Sequence, residues 1–399
     1  MGLQGRDCRT GPGAYRLLTR SKVSQFGAIY RDQQMGNGQD RMPGQALHQQ
    51  GRQVVARVAV IGDGQMGLVL AMLLAEKGHL PVLWGPFPDE LANLEQTRLS
   101  PRLAGFRLPA EVEIEPREAH LMQGCGVVIA AIPTQFIRPV WRRIGPHLRE
   151  GATIISVAKG VEEGTLLTPI QVIEEVLEEF RRGLDGPAGS APKPRMVCVS
   201  GPTIAAELAQ RRPATIVAAS DDSDAARAVQ DLLTAPWLRV YTHDDVIGVE
   251  LAGATKNVIA LAAGIVDGLA LGFNAKSALL ARGLAEIARL GVACGARAET
   301  FFGIAGVGDL ATTCFCPESR NRTCGERLGR GESLETILAS TSSVVEGVAT
   351  TRSVKALAAR EGVDMPITLA VHGILFEGLQ PREAIALLME REPKAETIG

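Results

Sequence analysis

Two lysines stand in apolar surroundings where a charged side chain has a chemical use. Lys256 lies beside Asn257 at the centre of "ELAGATKNVIALAAGI", residues 250–265, which otherwise reads as a buried helix. Lys159 ends the apolar run "TIISVAK". Removing an ammonium from water costs on the order of several kcal/mol unless it is paired, used or neutralised. Desolvation and a nearby like charge lower the pKa of a lysine toward neutrality, which suits a group that gives and takes a proton.

A glycine-bounded stretch further along the chain gathers polar side chains of the kind that hold a phosphate. "GVGDLATTCFCPESRNRTCG" contains Asp309, Thr313, Ser319, Arg320 and Asn321. An arginine between a serine and an asparagine offers a planar guanidinium with neutral donors beside it, which suits a phosphate. Taken alone, Asp309 is equally explained as a helix N-cap, and Arg320 as the partner of a nearby glutamate.

Further polar groups stand at the ends of predicted strands. Lys159 ends one strand, and Gly201 and Thr203 follow another and precede a helix in "SGPTIAAELA". Ligands of open α/β sheets bind at the carboxyl ends of the parallel strands, so these residues are expected to share one crevice. As a single residue, Lys159 also fits a surface lysine whose stem packs while its head reaches water.

The segment "GDGQMG", residues 62–67, matches G-x-G-x-x-G between a predicted strand and a predicted helix, and is called the glycine turn below. In this context Gly62 permits the tight turn, Gly64 lets a pyrophosphate approach the backbone, and Gly67 allows the helix to pack closely on the strand. The helix N-terminus then faces the phosphates. The glycine turn therefore predicts dinucleotide binding.

The acid that usually binds the ribose about 20 residues after such a turn is missing. The second strand ends in "LWGPFPDE", with Gly85 and Pro86 at its tip. Without a carboxylate there, discrimination against the 2′-phosphate of NADP is expected to be weak. Asp63 is unhelpful beside a pyrophosphate unless its side chain points away. The choice between NAD and NADP stays open.

The elements that position these residues change in kind along the chain. Apolar runs separated by helix-length stretches predict buried parallel strands in the first part. These strands are Arg57–Ile61, 82–84, 111–115, 127–132 and 153–159, and further strands, without an assigned direction, are predicted at 196–201, 215–220 and Leu238–His243. An amphipathic helix is predicted over 166–182, followed by a surface loop near 184–194. After residue 243 the strand signals stop and helical patterns broken by glycine-rich turns remain.

The predicted architecture is α/β, with an N-terminal Rossmann-type dinucleotide-binding domain followed by an all-helical C-terminal substrate and catalytic domain. We place the first domain at residues 53–243 and the second at 244–399. Residues 1–52 are rich in Gly, Gln and Arg without sustained periodicity, which predicts a disordered extension. A transit peptide, or a start codon assigned too far upstream, are the alternatives for this segment.

Composition narrows the class of protein. A formal net charge of -2 over 399 residues gives no basic field for nucleic acid, so no nucleic-acid partner is expected. No apolar run reaches the ~18 uninterrupted residues of a membrane span. Seven cysteines, an odd number without a regular framework, favour a reducing cytoplasm. Cys314, Cys316 and Cys324 lack a clear fourth ligand, so no metal site is predicted.

Several longer segments between residue 57 and the C-terminus stand in a recognisable order. They are "GDGQMG", "AIPTQFIRPV", "SVAKGVE", "SGPTIAAELA", "DDVIGVELAGATKNVIALAAGIVDGLALGFNAKSALLARGLAE", "TFFGIAGVGDLATTC", "SRNR" and "VVEGVATT". In this order the chain resembles the NAD(P)-dependent glycerol-3-phosphate dehydrogenases of the bacterial biosynthetic type. The resemblance implies reversible hydride transfer between NAD(P)H and dihydroxyacetone phosphate, giving sn-glycerol 3-phosphate for phospholipid synthesis. By analogy it also implies a homodimer.

The resemblance assigns roles to individual residues. Lys256 is implied as the proton donor and acceptor, since reducing a ketone requires a proton for the oxygen as hydride reaches the carbon. The implied substrate-binding residues are Lys159, Gly201, Thr203, Lys256, Asp309, Ser319, Arg320 and Asn321. Besides the glycines at 62, 64 and 67, the implied cofactor-binding residues are Gln65, Met66, Lys159, Ala205, Arg320, Val344 and Glu346. The chain departs from the family pattern at Asp63, Gln65, Met66 and Pro86.

Two other functions fit parts of the pattern. A related β-hydroxyacid-type dehydrogenase would share the two-domain build and act on a carboxylate substrate. A non-catalytic dinucleotide sensor would need the glycine turn and little else. The polar residues around Arg320 suit a phosphate, which favours a phosphorylated substrate over a carboxylate substrate. A sensor has no use for Lys256, Lys159 and Asp309 together.

Overall fold

The computed structural model describes residues 55–183, 193–341, 343–393 and 395. The predicted disordered extension at residues 1–52 lies outside the described residues, and so does most of the predicted loop near 184–194.

A single eight-stranded sheet is formed by the described residues before position 244. Its strands are β1 (Arg57–Ile61), β2 (Leu80–Trp84), β3 (Glu113–Ile114), β4 (Val127–Ala130), β5 (Thr153–Ser156), β6 (Arg195–Ser200), β7 (Ala214–Ala219) and β8 (Leu238–His243). They lie in the order β3-β2-β1-β4-β5-β6-β7-β8. Neighbouring strands are parallel except β6 and β7. Strands β1 and β4 are almost wholly buried, as continuous apolar runs of a covered parallel sheet should be.

Helices connect the strands and then make up the rest of the described chain. Those associated with the sheet are α1 (Gln65–Glu76), α2 (Pro88–Thr97), α3 (Glu118–Leu121), α4 (Ile137–Ile144), α5 (Pro169–Gly183), α6 (Ala205–Ala209) and α7 (Ser223–Leu233). Those after β8 are α8 (Val246–Gly268), α9 (Gly272–Ala293), α10 (Asp309–Phe315), α11 (Arg320–Gly329), α12 (Leu334–Ala339), α13 (Glu346–Glu361), α14 (Pro366–Phe376) and α15 (Pro381–Met389). The predicted fold class is therefore confirmed.

Three strand predictions need correction. The strand expected to end at Lys159 ends at Ser156, and the one expected to reach Ile132 ends at Ala130. The last ladder bond between this pair runs from the Val157 amide to the Ala130 carbonyl, after which the chain leaves the sheet. The third correction is that the strand expected over 111–115 spans only Glu113–Ile114. Strand β7 pairs antiparallel with β6, a direction that its apolar run does not specify.

Helix α8 lies at the centre of the helical part. From Val249 to Val266 every residue is buried, including Lys256 and Asn257. Among the described residues it is the one helix long and apolar enough by composition to cross a membrane, with a mean hydropathy of 1.4 over an 18-residue window. Lys256 and Asn257 interrupt its apolar run, in agreement with the expectation that no uninterrupted apolar run of that length occurs. Of that window 89% is buried by other parts of the protein, as in a core helix.

Glycines allow α8 and α11 to touch backbone to backbone. A Cβ added at Gly264 would lie 1.9 Å from the Arg322 carbonyl oxygen, and one at Gly325 would lie 2.0 Å from the Leu261 carbonyl oxygen. Any side chain at these positions would push the helices apart. This contact fixes the start of α11 relative to the polar centre of α8.

The cysteines of the described chain are free thiols. Cys314 and Cys324 are buried, and the Cys316 thiol contacts the Glu318 carboxylate at 2.8 Å. Within the described ranges no group of three or more His, Cys, Asp or Glu side chains is arranged to hold a metal ion.

Candidate active site

A buried carboxylate joins the two lysines. Asp309, the first residue of α10, is 1% exposed. Its Oδ1 accepts a hydrogen bond from Lys256 Nζ at 2.5 Å, and its Oδ2 accepts one from Lys159 Nζ at 2.7 Å. Lys256 Nζ also donates to Thr313 Oγ1 at 2.7 Å, one turn further along α10. The two ammonium groups therefore face one anion from opposite halves of the protein.

Burial and charge act in opposite directions on these groups. Burial lowers the pKa of Lys256 to about 8, Asp309 opposes the shift, and the neighbouring Lys159 reinforces it. Burial acts to raise the pKa of Asp309, but the two ammonium groups outweigh it and hold that pKa below its ordinary value. Lys256 thus titrates close to neutral pH beside an ionised carboxylate.

Lys159 reaches the crevice from the segment that follows β5. Its ammonium donates to the Gly201 carbonyl oxygen at 2.8 Å and to Thr203 Oγ1 at 3.2 Å, both in the segment after β6. A Cβ added at Gly253 of α8 would lie 2.8 Å from Ser200 Oγ and 3.4 Å from Lys159 Cγ. The small residue at 253 thus lets α8 approach the carboxyl ends of β5 and β6, bringing Lys256 beside Lys159.

Two asparagines connect four segments behind the lysines. Asn257 Nδ2 donates to the Lys159 carbonyl oxygen at 3.1 Å, and its Oδ1 accepts from Asn321 Nδ2 at 2.9 Å. The Oδ1 of Asn321 accepts in turn from the Gly347 amide at 2.9 Å. This chain of bonds holds the Lys159 backbone, α8, α11 and the start of α13 in register.

The polar residues predicted to bind a phosphate lie at the start of α11. Ser319 is buried and caps the helix, accepting from the Arg322 amide at 3.3 Å. Arg320 is exposed, and its Nη1 donates to the Val344 carbonyl oxygen at 3.0 Å. Burial raises the pKa of nearby Glu346, and the Arg320 charge opposes that rise. Arg320 therefore extends to the surface between the start of α11 and the start of α13.

The glycine turn has the shape that a pyrophosphate requires. A Cβ at Gly62 would lie 2.4 Å from the Ala131 carbonyl oxygen, and one at Gly67 would lie 1.8 Å from the Gly62 carbonyl oxygen. At Gly64 the same Cβ would meet nothing within 4 Å, so this backbone faces open space. No side chain caps the N-terminus of α1, which leaves amide donors for an anion. The turn therefore fits a dinucleotide.

The remaining predicted cofactor residues flank this opening or the lysines. Gln65 and Met66 start α1 and are half-buried, and Gln65 Nε2 donates to the Arg102 carbonyl oxygen at 2.6 Å. Ala205 is buried at the start of α6, which follows Thr203. Lys159, Gly201 and Thr203 follow strands of the sheet, whereas Val344 lies in the segment before α13.

Sequence reasoning missed the roles of three residues. The sequence assigns no role to Thr313, but in the structure its Oγ1 accepts a hydrogen bond from Lys256. Asn257 was noticed as an oddity, and its position next to Lys256 in an apolar run was the signal for a structural partner. Arg102 was not noticed; it lies 3.7 Å from the Asp63 carboxylate, and nothing in the sequence links these positions.

Both halves of the chain match known family models. The N-terminal model of NAD-dependent glycerol-3-phosphate dehydrogenase matches residues 57–226, and the C-terminal model matches residues 245–386. The chain belongs to this family. It is an NAD(P)-dependent oxidoreductase, and the enzyme prediction is confirmed against the sensor alternative.

Individual members of the family are similar over nearly their full length. A glycerol-3-phosphate dehydrogenase [NAD(P)+] of Geobacter metallireducens is 45% identical over 85% of this chain and 98% of its own. One of Listeria monocytogenes is 42% identical over the same shares. The crystal structure of the Coxiella burnetii glycerol-3-phosphate dehydrogenase is 33% identical, with a TM-score of 0.78 over 84% of this chain and 99% of that one.

Proposed function

We propose that this protein reduces dihydroxyacetone phosphate reversibly to sn-glycerol 3-phosphate, with Lys256 as the general acid and base. The observation that carries the proposal is the buried Lys256 ammonium, 2.5 Å from Asp309 and next to a second lysine. The relatives described above are glycerol-3-phosphate dehydrogenases, which supports the choice of substrate.

When bound, a nicotinamide cofactor would supply the hydride to the carbonyl carbon in reduction and would accept it from the same carbon of the alcohol in oxidation. Lys256 delivers a proton to the carbonyl oxygen during reduction and takes the hydroxyl proton back during oxidation. Because burial brings its pKa to about 8, both protonation states are accessible near neutral pH. Asp309 keeps the ammonium oriented, and Lys159 adds positive charge where the oxygen becomes negative.

The substrate phosphate is bound, in this proposal, at the start of α11. Arg320 offers a guanidinium fork and Asn321 a neutral side chain, while Ser319 shapes the helix entry. Thr203 and the backbone at Gly201, both held by Lys159, complete the pocket from the sheet side. Around the cofactor we place the glycine turn, Gln65, Met66, Lys159, Ala205, Arg320, Val344 and Glu346.

Lys256→Met tests the proposal. With dihydroxyacetone phosphate and either NADH or NADPH, we expect kcat/KM to fall about 10²- to 10⁴-fold, which is the usual contribution of general acid catalysis. Lys276→Met is the matched control, because Lys276 is also buried but pairs with Asp267 at 2.7 Å. Equal losses in both variants, or full activity of Lys256→Met, would contradict the assigned role.

We place the enzyme in the cytoplasm, where its product supplies glycerophospholipid synthesis. The free thiols of the described chain support a reducing compartment. The net charge of -2 supports a small-molecule substrate rather than a nucleic-acid partner. We further propose a homodimer, which size-exclusion chromatography with light scattering tests, and a domain boundary near residue 243.

A further inference from the structure

No acidic residue stands at the end of β2, but the carboxylate of Asp63 lies at that place. In dinucleotide-binding sheets the acid near the end of the second strand binds the ribose 2′-hydroxyl. Here β2 ends at Trp84 and Gly85 follows. A Cβ added at Gly85 would lie 2.4 Å from Asp63 Cγ and 2.6 and 2.8 Å from its two carboxylate oxygens. The Asp63 carboxylate therefore occupies the space that a side chain at position 85 would fill.

The side chain of Asp63 turns away from the pyrophosphate opening. It comes from the glycine turn, yet its carboxylate lies against the strand tip. The residue is 5% exposed. Burial raises its pKa, and the Arg102 guanidinium opposes the rise.

Arg102 is held by several contacts on the same side of the opening. It lies 3.7 Å from Asp63, too far for a hydrogen bond, and forms an ion pair with Glu90. Its guanidinium carbon is 5.6 Å from the centre of the Phe87 ring, and its carbonyl oxygen accepts from Gln65. One guanidinium thus faces two carboxylates, so the cluster is net negative when both acids are ionised.

We propose that Asp63 replaces the missing strand-end acid and selects NADH over NADPH. Its carboxylate accepts a hydrogen bond from the adenosine ribose 2′-hydroxyl, because it sits where that acid would be. A 2′-phosphate would bring about two further negative charges toward Asp63 and Glu90. The inference rests on the proposed function only in requiring that the glycine turn binds a dinucleotide.

Direct binding to Asp63→Asn tests the inference without turnover. Dissociation constants are measured by calorimetry for NADH, NADPH, ADP-ribose and ADP-ribose 2′-phosphate. For the wild type we expect tighter binding of NADH and of ADP-ribose than of their 2′-phosphorylated forms. Asp63→Asn is expected to weaken NADH and ADP-ribose about 10- to 100-fold, the range for a hydrogen bond to a charged group, without weakening the phosphorylated pair.

Glu115→Gln is the matched control. Glu115 is another buried carboxylate near this edge of the sheet, but it pairs with Arg117 at 2.8 Å. Its substitution is expected to leave the ratio of the NADPH and NADH constants unchanged. The inference is overturned if the wild type prefers NADPH, if it binds neither cofactor, or if Asp63→Asn weakens all four ligands equally, as loss of packing would.

Turnover of dihydroxyacetone phosphate by the same preparations separates this inference from the proposed function. Activity with both cofactors and no preference in binding overturns the role of Asp63 and leaves the reaction standing. The selective binding described above, without turnover, supports the role of Asp63 and contradicts the proposed reaction.

Discussion

At the scale of single residues, Asp309 sets the charge of the site because two ammonium groups share it. Each of its oxygens accepts from a different lysine, at 2.5 and 2.7 Å. Without it, Lys256 and Lys159 would face each other as buried like charges. The carboxylate therefore controls how readily Lys256 gives up its proton.

Asp309→Asn is expected to lower the pKa of Lys256 further, because the largest opposing charge would be removed while burial and Lys159 still act. The high-pH limb of the kcat/KM profile for reduction should move to lower pH, with activity at pH 7.5 falling at least about tenfold. Asp267→Asn is the control, since Asp267 likewise pairs with two cations, Lys276 and Arg322. An unshifted profile in Asp309→Asn would refute this account of Asp309.

The wild-type enzyme is expected to show opposite pH dependence in its two directions. Lys256 must be protonated to reduce the ketone and neutral to oxidise the alcohol, and its pKa lies at about 8. The kcat/KM for reduction should therefore fall above about pH 8, and that for oxidation should rise up to the same pH. Initial rates between pH 6 and 10 measure both limbs; a reduction rate that stays constant to pH 10 argues against Lys256 as the donor.

The residue types of the site were readable from sequence, but their contacts were not. An ammonium inside an apolar helix requires an explanation, so the sequence alone already pointed to Lys256 as a functional residue. The sharing of Asp309 between two lysines depends on how α10 packs between α8 and the segment after β5. The position of the Asp63 carboxylate depends on a side-chain direction that the glycine turn alone does not specify.

At the scale of elements, the crossing of α8 and α11 sets the position of Lys256 relative to Arg320. Lys256 lies on α8, and Arg320 begins α11. Since Gly264 and Gly325 bring the two backbones into contact, the distance between these elements is set by the absence of side chains.

Gly264→Ala is expected to separate the helices and to impair substrate binding. The added Cβ would lie 1.9 Å from a carbonyl oxygen, so the backbones must move, at a cost of about 1–3 kcal/mol. We expect a lower Tm and a KM for dihydroxyacetone phosphate that rises more than kcat falls. Gly126→Ala is the control, because a Cβ there meets nothing within 4 Å. Unchanged KM and Tm in Gly264→Ala would mean that the helices tolerate the wider spacing.

Element types were largely predictable, whereas element ends and directions were not. Strand β1 lies where the apolar run predicts it. The run "TIISVAK" gave no sign that the chain leaves the sheet after Ser156, because Val157 and Ala158 are also apolar and pack in the hydrophobic core. The direction of β7 is set by how α6 returns to the sheet, which periodicity does not encode.

At the scale of the whole molecule, two buried carboxylates tie distant helices together. Glu250 on α8 accepts from Thr168 Oγ1 at 2.6 Å and from the Ile170 amide at 2.9 Å, at the start of α5. Glu286 on α9 accepts from the Ile367 amide at 2.7 Å, at the start of α14. Each carboxylate thus caps a helix that is remote in sequence.

These carboxylates are expected to make stability depend on pH. Burial raises the pKa of both to about 7, against an ordinary value of 4.5. A raised folded-state pKa contributes stability that is complete below pH 4.5 and is lost as pH rises through 7. As the pH rises from 5 to 8, the wild type should therefore lose free energy of unfolding that Glu250→Gln and Glu286→Gln retain. The difference is on the order of a few kcal/mol.

Urea midpoints at pH 5 and pH 8 measure this difference. Glu335→Gln, at an exposed position, serves as the control and should follow the wild type. If the two buried variants also follow the wild type at both pH values, the carboxylates do not titrate in this range.

The bond between Lys159 and Asp309 also bears on how the enzyme acquires activity as it folds. The two residues are 150 positions apart, and neither half of the chain contains both. In the proposed mechanism, catalytic competence therefore requires closure of a long loop, which follows the formation of local helices and hairpins. In refolding experiments, recovery of turnover should lag behind the recovery of helical circular dichroism, so that a chain can regain its secondary structure well before it regains its chemistry.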